Sequence, residues 1–252
     1  MLAENKGRKT SDAQGPVVVI LLGPPGCGKG TQSRELSRTI GLAHVSTGEL
    51  LRRAAREGSA LGRMVHSKMT AGELVPDNLV CQLVIARTTQ PDCKRGVVLD
   101  GFPRTVDQAN FLCPLLPPRQ TIALNMQMSQ PVLLQRIMGR LICPACGEIY
   151  NAHSRPPCRI GICDHDSAPL ERRTDDTETV VRKRLVDYER QIRPLAEHFR
   201  KMNILQDIDA DLQPSALSTQ LCDLVQTAMG FSGNKFTISS PAEERATKRR
   251  RQ

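Results

Sequence analysis

The stretch from Gly23 to Thr31, Gly-Pro-Pro-Gly-Cys-Gly-Lys-Gly-Thr, has the residue types and spacing of a phosphate-binding loop. It follows the apolar run Val17–Leu22 and opens a helical pattern, which is the setting such a loop requires. Glycines let backbone N–H groups converge on phosphate oxygens, and the following helix points its positive N-terminus at the anion. We predict that the triphosphate of a nucleotide is bound by Gly26, Cys27, Gly28, Lys29, Gly30 and Thr31.

The residue after the lysine departs from the general form of this loop. A Ser or Thr hydroxyl usually stands there and binds Mg²⁺, whereas this chain has Gly30 followed by Thr31. The Gly-Lys-Gly-Thr form resembles that of the nucleoside monophosphate kinases, which implies that Mg²⁺ is held largely by the phosphates and by water. Asp100 ends the apolar run Val97–Leu99 and is the acid expected to orient those waters. We interpret the Cys27 thiol as a small filler, with redox sensitivity as the alternative.

Two further motifs lie downstream of the loop. Ser-Thr-Gly-Glu-Leu-Leu-Arg at 46–52 resembles the monophosphate-binding helix of the adenylate kinases, and Leu-Asp-Gly-Phe-Pro-Arg-Thr at 99–105 resembles their second signature. With the loop, three separated motifs occur in the order and spacing of that family, over residues 17–210. The match is to the form of the family with a long lid. The resemblance implies reversible phosphoryl transfer from MgATP to AMP, giving two molecules of ADP.

An enzyme that brings two nucleotides together must offset the repulsion between two polyanions. Arg52 and Arg104 can each grip a monophosphate through two parallel hydrogen bonds. The Gln108 amide can bond an adenine edge, Thr47 is placed to contact the base or ribose, and Gly101 lets the backbone approach the base. The resemblance assigns the AMP site to Thr47, Arg52, Val75, Gly101, Arg104, Gln108, Arg173 and Arg184.

Arginines flank the segment between residues 140 and 176. Arg136 and Arg140 are four residues apart, so they share one face of a helix leading into this segment. Guanidinium groups aimed at developing charge are the main catalytic device of phosphoryl transfer. By the resemblance Arg136 and Arg140 contact ATP, with Arg136 over the base. It assigns catalysis to Lys29, Asp100, Arg104, Arg140, Arg173 and Arg184. Asp175 and Asp176 either latch the lid or pair with neighbouring arginines.

The same segment contains a cysteine pattern typical of a zinc site. Cys-Pro-Ala-Cys at 143–146 is followed after sixteen residues by Cys-Asp-His-Asp at 163–166. This is the spacing of a structural zinc site, but the last position has Asp instead of the usual Cys or His. The resemblance to the adenylate kinases covers this feature, because zinc-binding lids in that family can have Asp at this position. The predicted ligands of a structural Zn²⁺ are Cys143, Cys146, Cys163 and Asp166. His165 and Cys158 are rivals for the fourth place, and a disulfide-linked or metal-free lid is the alternative.

The elements that must position these residues are visible as alternating apolar runs and helical patterns. The strand-like runs are Val17–Leu22, Ala43–Val45, Val97–Leu99, Thr121–Met126 and Ile204–Ile208. The helical patterns are Gln32–Ile40, Thr47–Glu57, Asn78–Arg87, Pro131–Met138 and Thr177–Phe199. Such alternation predicts an α/β fold, a doubly wound five-stranded parallel sheet with helices on both faces. We expect one domain at 16–231, with a monophosphate-binding helical insert at 46–75 and a zinc-stapled lid at 140–176.

Charge and composition narrow the function without deciding it. The net charge is +9, of which residues 1–15 carry +1 and residues 232–252 carry +4. The mildly basic remainder fits anionic substrates or nucleic acid. Both ends are polar and are predicted to be disordered tails. The longest apolar run has six residues, too few for the roughly 20 that a membrane span needs, and the first fifteen residues show no secretory signal.

Two rival functions stay open at this point. One keeps the chemistry but uses GTP as donor or another monophosphate as acceptor. The other is a zinc-containing nucleic-acid-binding protein, motivated by the basic tail at 247–251 but opposed by the cysteine spacing and the scarcity of aromatic residues. We expect a monomer that binds ATP, AMP and ADP, with no nucleic-acid or membrane partner. The expected location is cytoplasmic, with the mitochondrial intermembrane space or the nucleus as alternatives.

Overall fold

The computed structural model describes residues 15–71, 73, 75–115 and 120–229 of the chain. The strands are β1 Val17–Leu22, β2 Ala43–Ser46, β3 Gly96–Asp100, β4 Thr121–Gln127, β5 Arg140–Ile142, β6 Ile149–Asn151 and β7 Leu205–Asp209. The helices are α1 Lys29–Ile40, α2 Thr47–Arg56, α3 Ala60–Thr70, α4 Asp77–Thr88, α5 Val106–Leu112, α6 Gln130–Met138, α7 Glu178–Lys201 and α8 Pro214–Ala228. The two predicted tails lie outside the described residues, apart from Gly15.

Five strands form a parallel sheet in the order β2-β3-β1-β4-β7. Strand β1 is central, with Val19 opposite Val98 of β3 and Ile122 of β4. All six residues of β1 are buried, because helices cover both faces of the sheet. A strand buried on both faces must be apolar at every position, which is why this run is conspicuous in the sequence. The predicted doubly wound α/β fold is confirmed.

Alternate residues of β1 face two separate apolar cores. Ile20 lies in the core completed by α4, α5 and the C-terminal half of α7, where Phe199 is fully buried. Leu21 lies in the core completed by α1, α6 and α8, to which the first half of α7 adds Leu185. Helix α7 therefore packs in both cores. Because it follows residues 140–176 directly, it also anchors that segment to the body of the protein.

Residues 140–176, which we call the lid, have their own small sheet and little apolar core. Strands β5 and β6 pair in antiparallel fashion, with Leu141 opposite Tyr150. The buried apolar cluster of the lid contains Cys143, Tyr150 and Cys163. So few buried side chains offset little of the entropy lost on folding, and small units of this kind usually need a cross-link.

Helices α3, α5 and α8 were not predicted from the sequence. Helix α3 buries only Gly62 and Val65, although Leu61, Met64, Val65 and Met69 recur at helical spacing, a signal that the sequence does contain. Helix α8 buries Leu217, Leu221 and Val225 at a spacing of four, a helical signal that the sequence does contain. Among the described helices, none has both the length and the apolar character that crossing a bilayer demands.

Gly96 lies where β3 approaches β1 too closely for any side chain. Its φ is +131°, and a Cβ there would lie 2.2 Å from the carbonyl oxygen of Val17. The two residues face each other in the sheet, so neither backbone can move without disturbing the pairing. We expect Gly96→Ala to lower the free energy of unfolding by about 3 kcal/mol or more, measured by urea denaturation.

Gly58→Ala is the matched control for this prediction. Gly58 also has a positive φ, +68°, but a Cβ there would meet no atom within 4 Å. Its expected loss is therefore the backbone strain alone, about 1 kcal/mol. Equal losses in the two variants would show that the close approach at Gly96 has no energetic weight.

Candidate active site

The phosphate loop connects the end of β1 to the start of α1, as predicted. A Cβ at Gly26 would lie 2.6 Å from Ile137 of α6, so the loop packs closely under that helix. The ammonium group of Lys29 donates hydrogen bonds to the carbonyl oxygens of Gly23, at 2.5 Å, and Pro24, at 2.8 Å. The lysine thus lies folded over the loop, where its charge can meet a bound phosphate.

One cavity extends from this loop to the C-terminal ends of β2 and β3, to α7 and to the lid. It brings together most of the residues predicted to act on nucleotides. These lining residues are Gly26, Lys29, Gly30, Thr47, Arg52, Val75, Asp100, Gly101, Arg104, Gln108, Arg140, Arg173 and Arg184.

Four predicted residues are not in the lining of this cavity. They are Cys27, Gly28, Thr31 and Arg136. The first three still belong to the loop and the first turn of α1. Cys27 is fully buried, which agrees with its interpretation as a small filler. Arg136 is partly buried on α6, and its carbonyl oxygen accepts a hydrogen bond from Asn151 of the lid. The prediction that Arg136 and Arg140 share a helix face is wrong, because α6 ends at Met138 and Arg140 begins β5.

Two arginines of the cavity are paired with the adjacent carboxylates that the sequence analysis left open. Arg140 Nε donates to Asp176 at 2.7 Å, and Arg184 Nη1 donates to Asp175 at 2.7 Å. Arg173 differs from both, because its Nε is buried and has no hydrogen-bond partner among the described residues. A buried N–H without a partner is costly. Arg173 therefore has a free donor that an anionic ligand can satisfy.

Burial and crowding of like charges lower the pKa of three arginines in the cavity. Desolvation by the surrounding cavity, together with the charges of Arg184 and Arg52, lowers the pKa of Arg104 to about 10. Burial, together with Arg140 and Arg52, lowers the pKa of Arg173 to about 9. The pKa of Arg52 is also lowered, chiefly by burial. All three groups remain protonated at neutral pH, so the cavity concentrates positive charge that bound phosphates would stabilise.

Asp100 supplies the negative charge beside the loop. Burial opposes its ionisation, but the nearby polar side chains of His44 and Ser46 and the charge of Lys29 outweigh burial and lower its pKa. His44 Nε2 lies 3.8 Å from Asp100 Oδ2 and 3.0 Å from Ser33 Oγ. His44 was missed by the sequence analysis, because no local motif marks it. Its proximity arises when β2 pairs with β3.

The predicted acceptor residues are held by hydrogen bonds to one another and to the protein. Thr47 Oγ1 donates to the carbonyl oxygen of Gly101 at 2.9 Å. Gln108 Oε1 accepts from the backbone N–H of Arg104 at 2.7 Å, and its Nε2 donates to Asp77 at 2.8 Å. Asp77, the first residue of α4, was also missed. The Gln108 amide is thus fixed in orientation at the wall of the cavity.

The four predicted zinc ligands lie together in the lid. Their ligand atoms are all within 4.8 Å of one another: Cys143, Cys146, Cys163 and Asp166. Cys146 Sγ lies 3.6 Å from Cys163 Sγ, and Cys143 Sγ lies 3.3 Å from Asp166 Oδ2. Ligands placed tetrahedrally at about 2.0–2.3 Å from a zinc ion are separated by about 3.3–3.8 Å. The donor types and spacing therefore fit that ion.

The two rivals for the fourth ligand do not belong to this cluster. Cys158 is exposed, and its backbone N–H donates to Asp164 at 2.8 Å. His165 lies beside Asp166 in the chain, where its backbone N–H donates to Cys163 Sγ at 3.4 Å. The geometry favours Asp166 as the fourth ligand.

Comparison with known proteins agrees with the site. A family model described as adenylate kinase matches residues 21–204. The chain is 42% identical to an adenylate kinase of Methanocella arvoryzae over 195 residues, which is 76% of this chain and 90% of that relative. It is 39% identical to one of Thermosipho melanesiensis over 211 residues, which is 82% of this chain and 99% of that relative. The match includes the loop, the arginine-lined cavity and the lid, and the chain belongs to the adenylate kinase family.

Proposed function

We infer that the chain catalyses reversible transfer of the γ-phosphoryl group of MgATP to AMP, giving two molecules of ADP. The observation that carries this conclusion is the single cavity that joins the phosphate loop to five arginines. One of these, Arg173, has a buried Nε with no partner in the described part of the chain. Two phosphate chains placed end to end would supply anionic oxygens for these guanidinium groups to bind.

Each end of the cavity binds one of the two nucleotides. The loop and Lys29 bind the donor phosphates, and Arg140 reaches them from the lid. Arg52 and Arg104, on α2 and after β3, bind the monophosphate of the acceptor. Guanidinium groups suit this role because two parallel N–H groups match two phosphate oxygens.

The reaction itself is an in-line displacement between the two ends. An oxygen of the AMP phosphate attacks the γ-phosphorus of ATP, and the bond from that phosphorus to the β–γ bridging oxygen breaks. The electron pair stays with the ADP that leaves. Arg173 and Arg184 lie beside the transferred group and stabilise its charge, so no covalent intermediate on the protein is needed.

The lid excludes water from this transfer. Ile149 of the lid lines the cavity, and its Cδ1 lies 3.4 Å from the position of a Cβ at Gly30 in the loop. The lid thus lies directly over the phosphate loop, which we assign to the donor phosphates. Closure favours transfer to AMP over hydrolysis, because a nearby water could otherwise attack the same phosphorus.

When bound with ATP, Mg²⁺ would neutralise charge on the β- and γ-phosphates. Gly30 provides no hydroxyl ligand, so we propose that the phosphates and water hold the ion. Asp100 is the carboxylate that orients those waters. Its Oδ2 lies 3.6 Å from the position of a Cβ at Gly30, and its lowered pKa keeps it ionised.

We propose that the lid holds a structural Zn²⁺ through the four-residue cluster described above. Four protein ligands close the coordination sphere, so this ion would stabilise the lid rather than take part in transfer. Cys146→Ser is expected to abolish stoichiometric zinc and to lower the melting temperature by several degrees. Elemental analysis and thermal unfolding of the purified protein measure both effects.

Cys158→Ser is the matched control, because this cysteine lies in the lid but outside the cluster. It should retain one zinc ion and the wild-type melting temperature. Zinc retained by the Cys146→Ser variant, or lost by both variants alike, would contradict the proposed ligands.

A coupled assay with purified protein, MgATP and AMP tests the proposed function. We expect ADP from ATP and AMP together and little from either alone. GTP as donor, and CMP, UMP or GMP as acceptors, test the rival specificity in the same assay. A bisubstrate mimic with two adenosines joined by five phosphates should bind tightly, and its failure to bind folded protein would refute the two-nucleotide cavity. The monomeric state and cytoplasmic location stay predictions, which light scattering and cell fractionation test.

A further inference from the structure

Arg34 of α1 contacts two elements, the lid and α2, whose residues also line the proposed nucleotide cavity. Its guanidinium donates through Nη1 to the carbonyl oxygen of Gly147 in the lid and through Nη2 to the carboxylate of Glu49. Glu49 is in the first turn of α2, and it lines the cavity. One side chain thus joins the lid, the acceptor helix and the helix that begins at the phosphate loop.

The lid contact is made at the turn that carries the cysteine cluster. Gly147 follows Cys146 directly, and its backbone N–H donates to the carbonyl oxygen of Cys143 at 2.9 Å. Its φ is +75°, and a Cβ there would lie 3.2 Å from Arg34 Nη2. A side chain at this position would therefore press on the guanidinium. The turn presents its backbone to Arg34 in a fixed orientation.

Because this contact is partly exposed, we expect it to couple the positions of the lid and α2 more than it stabilises the fold. The side chains of Arg34 and Glu49 are 26% and 45% exposed, and ion pairs this exposed contribute little to stability. However, both bonds use the same guanidinium. Ordering Arg34 against one partner reduces the rotamer freedom that must be lost to bind the other. Closure of either element therefore favours closure of the other.

We propose that Arg34 is a positioning residue that couples closure of the lid over ATP to placement of the acceptor helix around AMP. The proposal rests on the proposed function, since it assigns the two elements to the two nucleotides. Arg34 itself does not line the cavity, so it acts through Glu49 and Gly147. Loss of Arg34 should weaken the cooperation between the nucleotides more than the chemical step.

The test measures AMP binding by calorimetry with and without a non-hydrolysable ATP analogue. The ratio of the two dissociation constants reports the coupling. We expect Arg34→Gln to reduce this ratio about threefold to tenfold, and to raise KM for both nucleotides with little change in kcat. Glu49→Gln should also reduce the ratio, and the double variant should lose no more than Arg34→Gln alone. Arg34→Lys, which keeps one charge but not the two-pronged donor, should fall between.

Arg53→Gln is the matched control on α2. This variant also removes one positive charge. The ion pair of Arg53 is with Glu57, at 3.9 Å, and it lies at the end of α2 and involves no residue of the lid. The proposal would be overturned if Arg34→Gln and Glu49→Gln kept the wild-type ratio of dissociation constants. It would also be overturned if their losses added in the double variant, or if the control lost as much as Arg34→Gln. If the Arg34→Gln variant does not fold, the ratio measured for Glu49→Gln decides the proposal. Turnover of the wild-type protein is measured on the same preparation: its absence would refute the proposed function, whereas a loss of coupling alone concerns only the role of Arg34.

Discussion

Replacement of Lys29 by alanine is expected to lower kcat by about 10³ with the fold intact. The lysine is the cation of the phosphate loop, and its ammonium lies over the carbonyl oxygens of Gly23 and Pro24. In transfer this charge offsets the negative charge that builds on the β- and γ-phosphate oxygens. No other cation of the described loop can replace it, since the neighbouring positions are glycine, cysteine and proline. Single-turnover and steady-state assays with MgATP and AMP measure the loss.

Lys201→Ala provides the comparison for this variant. Lys201 is an exposed lysine at the end of α7, outside the cavity, so its loss should leave kcat within twofold of wild type. Circular dichroism and melting curves establish that both proteins fold. If the Lys29→Ala variant turned over at a rate near that of wild type, the role of this lysine in transfer would be refuted.

The sheet could be predicted because each of its central strands is buried on both faces. Val17–Leu22 is apolar throughout, so the strand is recognisable without knowledge of its neighbours. Helix α3 shows the opposite case. It packs mainly on α2 and buries few side chains, and Leu61 and Met64 of its apolar stripe stay exposed. A stripe that is only partly buried is a weaker signal than a strand that is apolar throughout.

Some features of the site are local in the sequence, and others form only when separate elements pack together. The loop, the acceptor motif and the cysteine pattern are contiguous, so residue order alone specifies them. His44 and Asp77 come from separate elements, and they meet Asp100 and Gln108 only once the strands and helices have packed. Arg34 is of this second kind too, because its two partners lie in α2 and the lid. Residues that tune a site from a distance carry no spacing that a sequence motif could record.

The arginines provide a sharper test of the charge argument than the loop does. Arg140 and Arg184 each have a carboxylate partner, so part of their donor capacity is used within the protein. Arg173 has none at its buried Nε among the residues that the structure describes, and the charges of Arg140 and Arg52 act on it. Without a bound nucleotide, this unsatisfied N–H group therefore destabilises the folded protein. Phosphate oxygens would relieve it most in the transition state, where negative charge is shared over the transferred group.

Arg173→Lys is therefore expected to lower kcat by about 10²–10³, although the positive charge is retained. An ammonium group cannot supply the fixed, planar donors that a guanidinium directs at several phosphate oxygens. The neighbouring Arg172→Lys is the control, because Arg172 is exposed and outside the cavity lining, and it should keep wild-type kcat. The affinity for AMP alone should change far less than kcat, since the contact is strongest in the transition state. Wild-type kcat in the Arg173→Lys variant would mean that charge alone suffices, and the unpaired Nε would then have no catalytic meaning.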